Sequence, residues 1–249
     1  MCLISVIIPF YKKHQFIEKS VDSVINQLFK NIEIIIIHDD PSDIDFSLIE
    51  RIKKKDKRIK IIRNTKNLGA GISRNLGIAA SKGEYIAFLD ADDMWYPDKL
   101  KLQIDFMKSN NIEFSHTSYE IVNENGNILS ERISPAQLEF NQLVKSCDIG
   151  LSSVILKKTI IKNFVFPSLK TKEDYVFWLM LSKSGIKIYS LNKTLMKWRK
   201  LDNSLSNNIL QKLIDGFRVY NIYLKYNFIL SLKCLFILSV NFIKKKNRL

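Results

Sequence analysis

Four apolar runs recur in the first ninety residues, each followed by a stretch of helical or turn character, and this rhythm leaves few architectures open. Residues 3–9 are rich in β-branched side chains, as expected of a strand covered on both faces. Ile17, Val21, Val24 and Leu28 then follow the i, i+4, i+7, i+11 spacing of an amphipathic helix. Residues 32–37 read as a second buried strand, 46–55 as a helix, 59–63 as a third strand, 70–81 as a helix and 84–89 as a fourth strand. Such alternation predicts an α/β fold, a mostly parallel central sheet with helices on both faces. Ligands of these sheets sit beyond the carboxyl ends of the strands. Asp39 and Asp40 fall at one such end, and Asp90, Asp92 and Asp93 at another some fifty residues on, so the topology gathers distant carboxylates.

The second half is more mixed. Residues 112–122 and 128–133 flank Asn123-Glu124-Asn125-Gly126-Asn127, a hairpin signal. Residues 151–156 read as an apolar strand, 175–184 as a helix entered through Lys172-Glu173-Asp174, and 186–191 and 194–198 as two short strands.

With 249 residues, 46% hydrophobic and 26% charged, the chain has ordinary globular composition, and no repeat or low-complexity linker is visible. Lys and Arg outnumber Asp and Glu by 39 to 25, a net +14 that attracts nucleic acid, anionic headgroups or phosphorylated substrates, unless it reflects a bias toward solvated lysines. Cys2, Cys147 and Cys234 show no C-x-x-C spacing, which argues against a disulfide framework or zinc site and suits a reducing cytoplasm. The first ten residues lack the basic region and cleavage site of a secretory signal and are too short to span a bilayer.

Asp90-Ala91-Asp92-Asp93 is the candidate centre. Two carboxylates in D-x-D spacing can reach one hard divalent cation, and Mg²⁺ or Mn²⁺ prefers few protein oxygens plus substrate phosphates. The plainer reading is a solvated acidic turn capping the next helix.

The longer string Phe88-Leu89-Asp90-Ala91-Asp92-Asp93-Met94-Trp95-Tyr96-Pro97-Asp98-Lys99-Leu100 decides between them when joined to three others. These are Ser5-Val6-Ile7-Ile8-Pro9-Phe10-Tyr11, Asn67-Leu68-Gly69-Ala70-Gly71-Ile72-Ser73-Arg74-Asn75 and Glu173-Asp174. In this order the four motifs resemble family 2 glycosyltransferases of the GT-A (nucleotide-diphospho-sugar transferase-like) fold, over about residues 4–206.

The resemblance implies an inverting glycosyltransferase that uses a nucleotide-diphosphate sugar, with UDP-sugars favoured, and Mn²⁺ or Mg²⁺. It implies a saccharide or lipid-linked acceptor in cell-surface polysaccharide or glycolipid synthesis. Pro9 and Tyr11 would line the nucleotide pocket, Asp40 with Asp39 would hold the base, and Arg74 with Asn67 and Gly71 would lie by ribose and diphosphate. A guanidinium forks onto phosphate oxygens and glycine permits close backbone approach. The plainer alternative for Arg74 is a surface ion pair. Asp92 would be the main metal ligand, Asp90 would contact the ribose or support the metal, Asp93 would position the donor sugar or complete the coordination through water, and Ala91 would belong to the nucleotide-sugar-binding set. Asp174 would be the catalytic base with Glu173 in support, although both acids also suit the first turn of a helix. Two departures stand out: the family's usual histidine falls at Leu201, and its usual Asp-Asp-Gly-Ser is Asp39-Asp40-Pro41-Ser42.

The expected organisation is a catalytic domain over 1–206, with a donor-binding half to about 110 and an acceptor half beyond, then a helical tail over 207–249. In that tail, residues 228–243 are apolar and end on Lys244-Lys245-Lys246-Asn247-Arg248, too short for an ordinary span. They fit a helix lying on an anionic membrane surface, or one packed on the domain or on a second subunit. A sugar-phosphate nucleotidyltransferase would want a glycine-rich loop where Phe10-Tyr11-Lys12-Lys13-His14 stands. A nonenzymatic nucleic-acid binder has only the net charge in its favour, and no specific nucleic acid is expected.

Overall fold

All four apolar runs become neighbouring strands of one sheet. The computed structural model describes residues 2–42, 45–201 and 208–246. Strands β1 (Ile4–Phe10), β2 (Ile32–His38), β3 (Ile59–Arg63) and β4 (Tyr85–Phe88) lie in the order β3-β2-β1-β4, all parallel. Parallel neighbours need long crossovers, and α1 (His14–Ile25), α2 (Phe46–Lys55) and α3 (Ala70–Ala80) supply them. Along β1, Ile7 packs with Ile86 and Phe88 on one face while Val6 and Ile8 pack with Ile34 and Ile36 on the other. Both faces are covered, which is why these strands read as continuous apolar runs.

The sheet then changes character. The next elements are β5 (Met94–Trp95), α4 (Lys99–Ser109), β6 (Phe114–Val122), β7 (Ile128–Arg132), β8 (Gln137–Leu138) and α5 (Phe140–Leu143). They are followed by β9 (Ile155–Lys157), α6 (Glu173–Lys183) and β10 (Ile188–Arg199). From β4 the order continues β9-β6-β10-β5, with β7 on β6 and β8 on β10. β9 runs antiparallel to both β4 and β6, whereas β10 is parallel to β6. The mostly parallel expectation therefore holds for β1–β4 and gives way to a mixed sheet, because the direction of a strand is not written in its own residues.

Three local expectations change. Leu28 does not extend the helical stripe: α1 stops at Ile25, and the Leu28 amide instead donates to the Pro97 carbonyl at 2.8 Å with its side chain exposed. Phe16 and Ser20 complete the buried face with Ile17, Val21 and Val24. Residues 151–156 are not one strand, since Leu151–Ser153 winds into a 3₁₀ turn and only Ile155–Lys157 pairs. The two short strands at 186–191 and 194–198 are one long strand, β10, whose register shifts around Asn192-Lys193. That polar pair bulges without ending the strand.

Beyond the sheet, α7 (Ile209–Arg218), a π-helical turn (Val219–Tyr223) and α8 (Phe228–Lys246) pack back onto the fold. Tyr220 Oη donates to the Val144 carbonyl at 2.7 Å and lies 3.2 Å from Tyr175 Oη. Asn241 donates to the Lys145 carbonyl at 2.9 Å. Among the described residues no helix is long and apolar enough to cross a membrane. The expected boundary near 206, with residues 202–206 of the stretch that carries the resemblance, lies outside the described residues.

Candidate active site

Two strand ends and one helix start converge on the site. At the end of β2, Asp39 is buried and its carboxylate accepts from Asn64 Nδ2 at 2.7 Å and from the amides of Leu68 and Gly69 at 2.8 Å each. The side chain of Asn67 donates to the Asp39 carbonyl at 3.1 Å. Asp39 thus shapes the loop into α3, a turn that needs the positive φ of Gly69, +84°. Asp40 takes the Ser42 hydroxyl at 2.7 Å and amide at 3.0 Å, and these bonds hold its carboxyl below the usual range. Pro9 and Tyr11 stand at the adjoining end of β1, Tyr11 exposed.

The carboxylates after β4 divide sharply. Asp93 points into the interior, where Ser152 Oγ donates at 2.6 Å and the Arg199 amide at 2.9 Å. Burial and its neighbours Asp92 and Asp90 push its carboxyl well above the ordinary value. The same Ser152 hydroxyl accepts from the Asp90 amide at 3.0 Å, and the Ser152 carbonyl accepts from Trp95 Nε1 at 2.7 Å. Arg199 grips the turn from the other side, donating to the carbonyls of Asp92, Asn123 and Glu124. Ala91 is buried, and its carbonyl accepts from Ser20 Oγ at 2.8 Å. The loop is thereby fixed and Asp92 is left facing Lys13, whose Nζ lies 2.9 Å away. Burial and Asp90 raise the Asp92 carboxyl while Lys13 opposes them.

Arg74 joins this cluster to the second half. Its side chain is buried, with Nη2 at 2.8 Å from Asp90 and Nη1 at 2.7 Å from Glu173. It is a buried bridge, not the surface ion pair that the sequence left as the alternative. Burial alone would weaken its charge, but Asp90 and Glu173 more than reverse that and drive its pKa upward. The guanidinium also lies 5.5 Å from the Phe166 ring, itself stacked on Phe177 at 4.1 Å. Gly71 permits this closeness, since a Cβ there would come within 2.6 Å of the Pro167 carbonyl oxygen. Arg74 Nε has no hydrogen-bond partner among the described residues.

Glu173 and Asp174 open α6, where acidic side chains meet the positive end of the helix dipole. Asp174 Oδ1 accepts from the Tyr175 amide at 2.7 Å, and Oδ2 accepts no hydrogen bond from the described residues. For both acids burial raises the carboxyl pKa and outweighs the opposing pull of Arg74. A half-buried carboxylate of raised basicity with one oxygen uncommitted has the properties of a general base.

Asp92 and Asp90 suit a hard cation that takes its remaining oxygens from phosphate and water. Among the described residues no three His, Cys, Asp or Glu side chains gather into a preformed metal cage. Leu201, where the histidine was expected, is buried. Ser152, Lys13 and Arg199 belong to the site although none lies in the four motifs; the one signal near any of them is Leu201, two residues after Arg199. A cavity of about 280 Å³, lined by Asn123, Glu124, Asn125, Leu129 and Lys200, has none of Asp90, Asp92, Glu173 and Asp174 in its wall.

The chain is similar to known proteins in sequence and in fold. Residues 5–164 match the family described as Glycosyl transferase family 2. A Bacillus subtilis glycosyltransferase assigned to teichuronic acid biosynthesis, TuaG, is 31% identical over 98% of this chain and 97% of its own length. An Escherichia coli UDP-Glc:α-D-GlcNAc-diphosphoundecaprenol β-1,3-glucosyltransferase, WfgD, is 37% identical over 85% of this chain and 82% of its own. Among solved structures, Staphylococcus aureus TarS (residues 1–349) in complex with UDP-GlcNAc superposes with a TM-score of 0.74 at 20% identity, over 88% of this chain and 65% of that one. The last likeness shows the GT-A-like fold.

Proposed function

The chain belongs to glycosyltransferase family 2, and from that premise we propose that it moves a hexose from a UDP-sugar to a lipid-linked saccharide, with inversion, during cell-surface polysaccharide assembly. The observation that carries this reading is the buried Arg74 bridge, which ties Asp90 of the strand-end cluster to Glu173 beside Asp174. It makes one site of two carboxylate groups that serve different halves of a transfer. WfgD, whose own donor is UDP-Glc and whose acceptor is a diphosphoundecaprenol-linked sugar, supports the substrate classes.

In this reading residues up to about 110 hold the donor and residues 111–206 shape the acceptor side, with 207–249 an appended helical tail. Pro9, Tyr11 and Asp40 border the base. Asp39, with Asn67, sets the loop beside it, and Gly71 and Arg74 back the ribose and diphosphate. Asp92, assisted by Asp90, holds Mn²⁺ or Mg²⁺, which supplies positive charge to the departing diphosphate. Ala91 and Asp93 fix the turn against which the donor sugar lies. Asp174 takes the acceptor hydroxyl proton as the acceptor oxygen bonds to the anomeric carbon. The bond from that carbon to the diphosphate oxygen breaks, and UDP leaves. Glu173 and Arg74 keep Asp174 in place.

A panel of nucleotide sugars, each with and without Mn²⁺, tests the assignment by thermal shift. A UDP-sugar should stabilise the wild type, and more so with metal, while Asp92→Ala should lose the metal-dependent part. The site is wrongly assigned if no nucleotide sugar stabilises the wild type, or if Asp92→Ala responds as the wild type does.

A further inference from the structure

The paired helices α7 and α8 present a face that the catalytic fold leaves uncovered. They run antiparallel: the Phe217 and Phe228 rings meet at 5.5 Å, and Lys212 Nζ lies 5.1 Å over the Phe242 ring near the other end. Between those points a Cβ on Gly216 would come within 2.8 Å of Leu235, so the helices touch along that line. Asp215 of α7 and Cys234 and Leu238 of α8 turn inward and are buried. At about 100° per residue, the side opposite these positions carries Leu210, Leu213 and Ile214 on α7 and Ile229, Leu232 and Phe236 on α8. All six are exposed, Ile229 by 79% and Phe236 by 69%. The two stripes adjoin and point away from the sheet.

Charge decides what can cover this face. Within residues 208–246 the acidic side chains reduce to Asp215, which is buried and accepts from Thr171, Gln211 and Arg218. Arg218, Lys225, Lys233 and Lys244 are exposed; Arg218, Lys233 and Lys244 border the apolar stripes by helical position instead of interrupting them, and Lys225 lies in the turn before α8. A twofold contact with a second copy would bring like cations together around the apolar patch. An anionic bilayer instead takes the apolar stripes into the headgroup boundary and meets the lysines with charge. Neither helix is long and apolar enough to span, so the pair would lie in the surface.

The platform also sits next to the chemistry. Asp215 accepts from the Thr171 amide at 3.1 Å and hydroxyl at 3.0 Å, three residues before Asp174, and Tyr220 meets Tyr175, the residue after it. We propose that the outward face of α7–α8 docks the enzyme on an anionic membrane, holding the Asp174 side toward the surface from which a lipid-linked acceptor emerges. The orientation rests on the proposed acceptor class; the docking itself does not.

Vesicle sedimentation of the full chain tests this. Phosphatidylcholine vesicles containing phosphatidylglycerol should bind it, pure phosphatidylcholine should bind it far less, and high salt should weaken binding. Ile229→Glu and Phe236→Glu should each reduce affinity about tenfold or more, given the area each side chain would bury. Lys233→Gln should reduce it about fivefold. The unfolding midpoint and stabilisation by nucleotide sugar serve as controls, and should stay as in the wild type. The proposal is overturned if charge in the vesicle makes no difference, or if the glutamate variants bind as the wild type does. It is equally overturned if sedimentation velocity shows a dimer that Ile229→Glu dissolves while vesicles are ignored. A wild type that ignores anionic vesicles yet is stabilised by a nucleotide sugar sinks the docking face alone; a wild type that binds them without any sugar response sinks the transfer reading alone.

Discussion

The two halves of the sheet deliver their carboxylates by different means. In the parallel half, strands end and acids follow, so Asp39, Asp40 and the cluster from Asp90 arrive at one edge through topology alone. In the mixed half, Glu173 and Asp174 arrive at the start of a helix and are brought to that edge by a single buried arginine. The contrast extends to what each acid has left to give. Asp39 and Asp93 spend their oxygens on three and two donors inside the fold, whereas Asp92 faces an ammonium at the cleft and Asp174 spends one oxygen. Adjacent acids such as Asp92 and Asp93 therefore differ in what they leave available, one facing a lysine and the other spent on the scaffold.

The largest expected effect falls on the mixed half. Asp174→Asn keeps an acceptor for the Tyr175 amide but removes the base, so kcat/KM for sugar transfer should fall about 10²–10⁴-fold with the unfolding midpoint little changed. A parallel drop in folded fraction would show that Asp174 is structural instead. Next comes the joint between the halves. Arg74→Ala strands the largely buried Glu173 and unpairs the partly solvated Asp90, and should cost about 3–5 kcal/mol in denaturant unfolding, chiefly through Glu173. Arg74→Lys retains the charge without the fork and should cost less. On the parallel side, Ser152→Ala removes the hydroxyl that Asp93 and the Asp90 amide share. It should cost about 1–3 kcal/mol and weaken donor stabilisation through the displaced turn.

The same contrast predicts a pH profile. Burial raises the Asp174 carboxyl above its ordinary 3.8, so the protonated, inactive form persists to higher pH than for a solvated aspartate. The acid limb of kcat/KM should accordingly sit above the usual carboxylate range, with activity lost as pH falls through it. Stability moves the other way for this group. A carboxyl with raised folded pKa binds protons better in the fold than when unfolded, so its contribution is present below the unfolded value and is lost as pH rises through the folded one. An acid limb at the ordinary aspartate value in a pH–rate series would remove burial as the tuning force.

How much of this was legible follows the same division. The parallel strands could be read because burial on both faces writes itself as unbroken apolar runs, and the strand-end acids follow from them. Asp174 could be placed only through the resemblance, since two acids at a helix start satisfy the dipole equally well. Ser152 lies 62 residues from the Asp90 amide it accepts and Arg199 lies 106 from Asp93, and no local pattern announces pairings at that range. The direction of β9 and the continuity of β10 were hidden for a related reason, because both depend on neighbouring strands and not on their own residues.

Lys13 gives the smallest effect and isolates the cleft face of the parallel half. Its ammonium stands 2.9 Å from Asp92, at the carboxylate proposed to take the metal, with side chains 27% and 17% exposed. A partly solvated pair of this kind contributes about 0–1 kcal/mol to folding, so Lys13→Met should barely move the unfolding midpoint. It should, however, relieve a competition, because an incoming cation must displace the ammonium before it can use the same oxygen. Mn²⁺ affinity without nucleotide should therefore rise up to about fivefold in Lys13→Met, read by electron paramagnetic resonance titration. UDP binding without metal should weaken if the displaced ammonium turns to the diphosphate. An unchanged Mn²⁺ titration would place the cation away from Asp92, and the division between ligand-facing Asp92 and scaffold-facing Asp93 would have to be redrawn. Arg74 cannot be displaced in this way, because it is buried and bridges two acids at once. The partly solvated lysine is thus the replaceable counter-charge beside Asp92 and the buried arginine the permanent one.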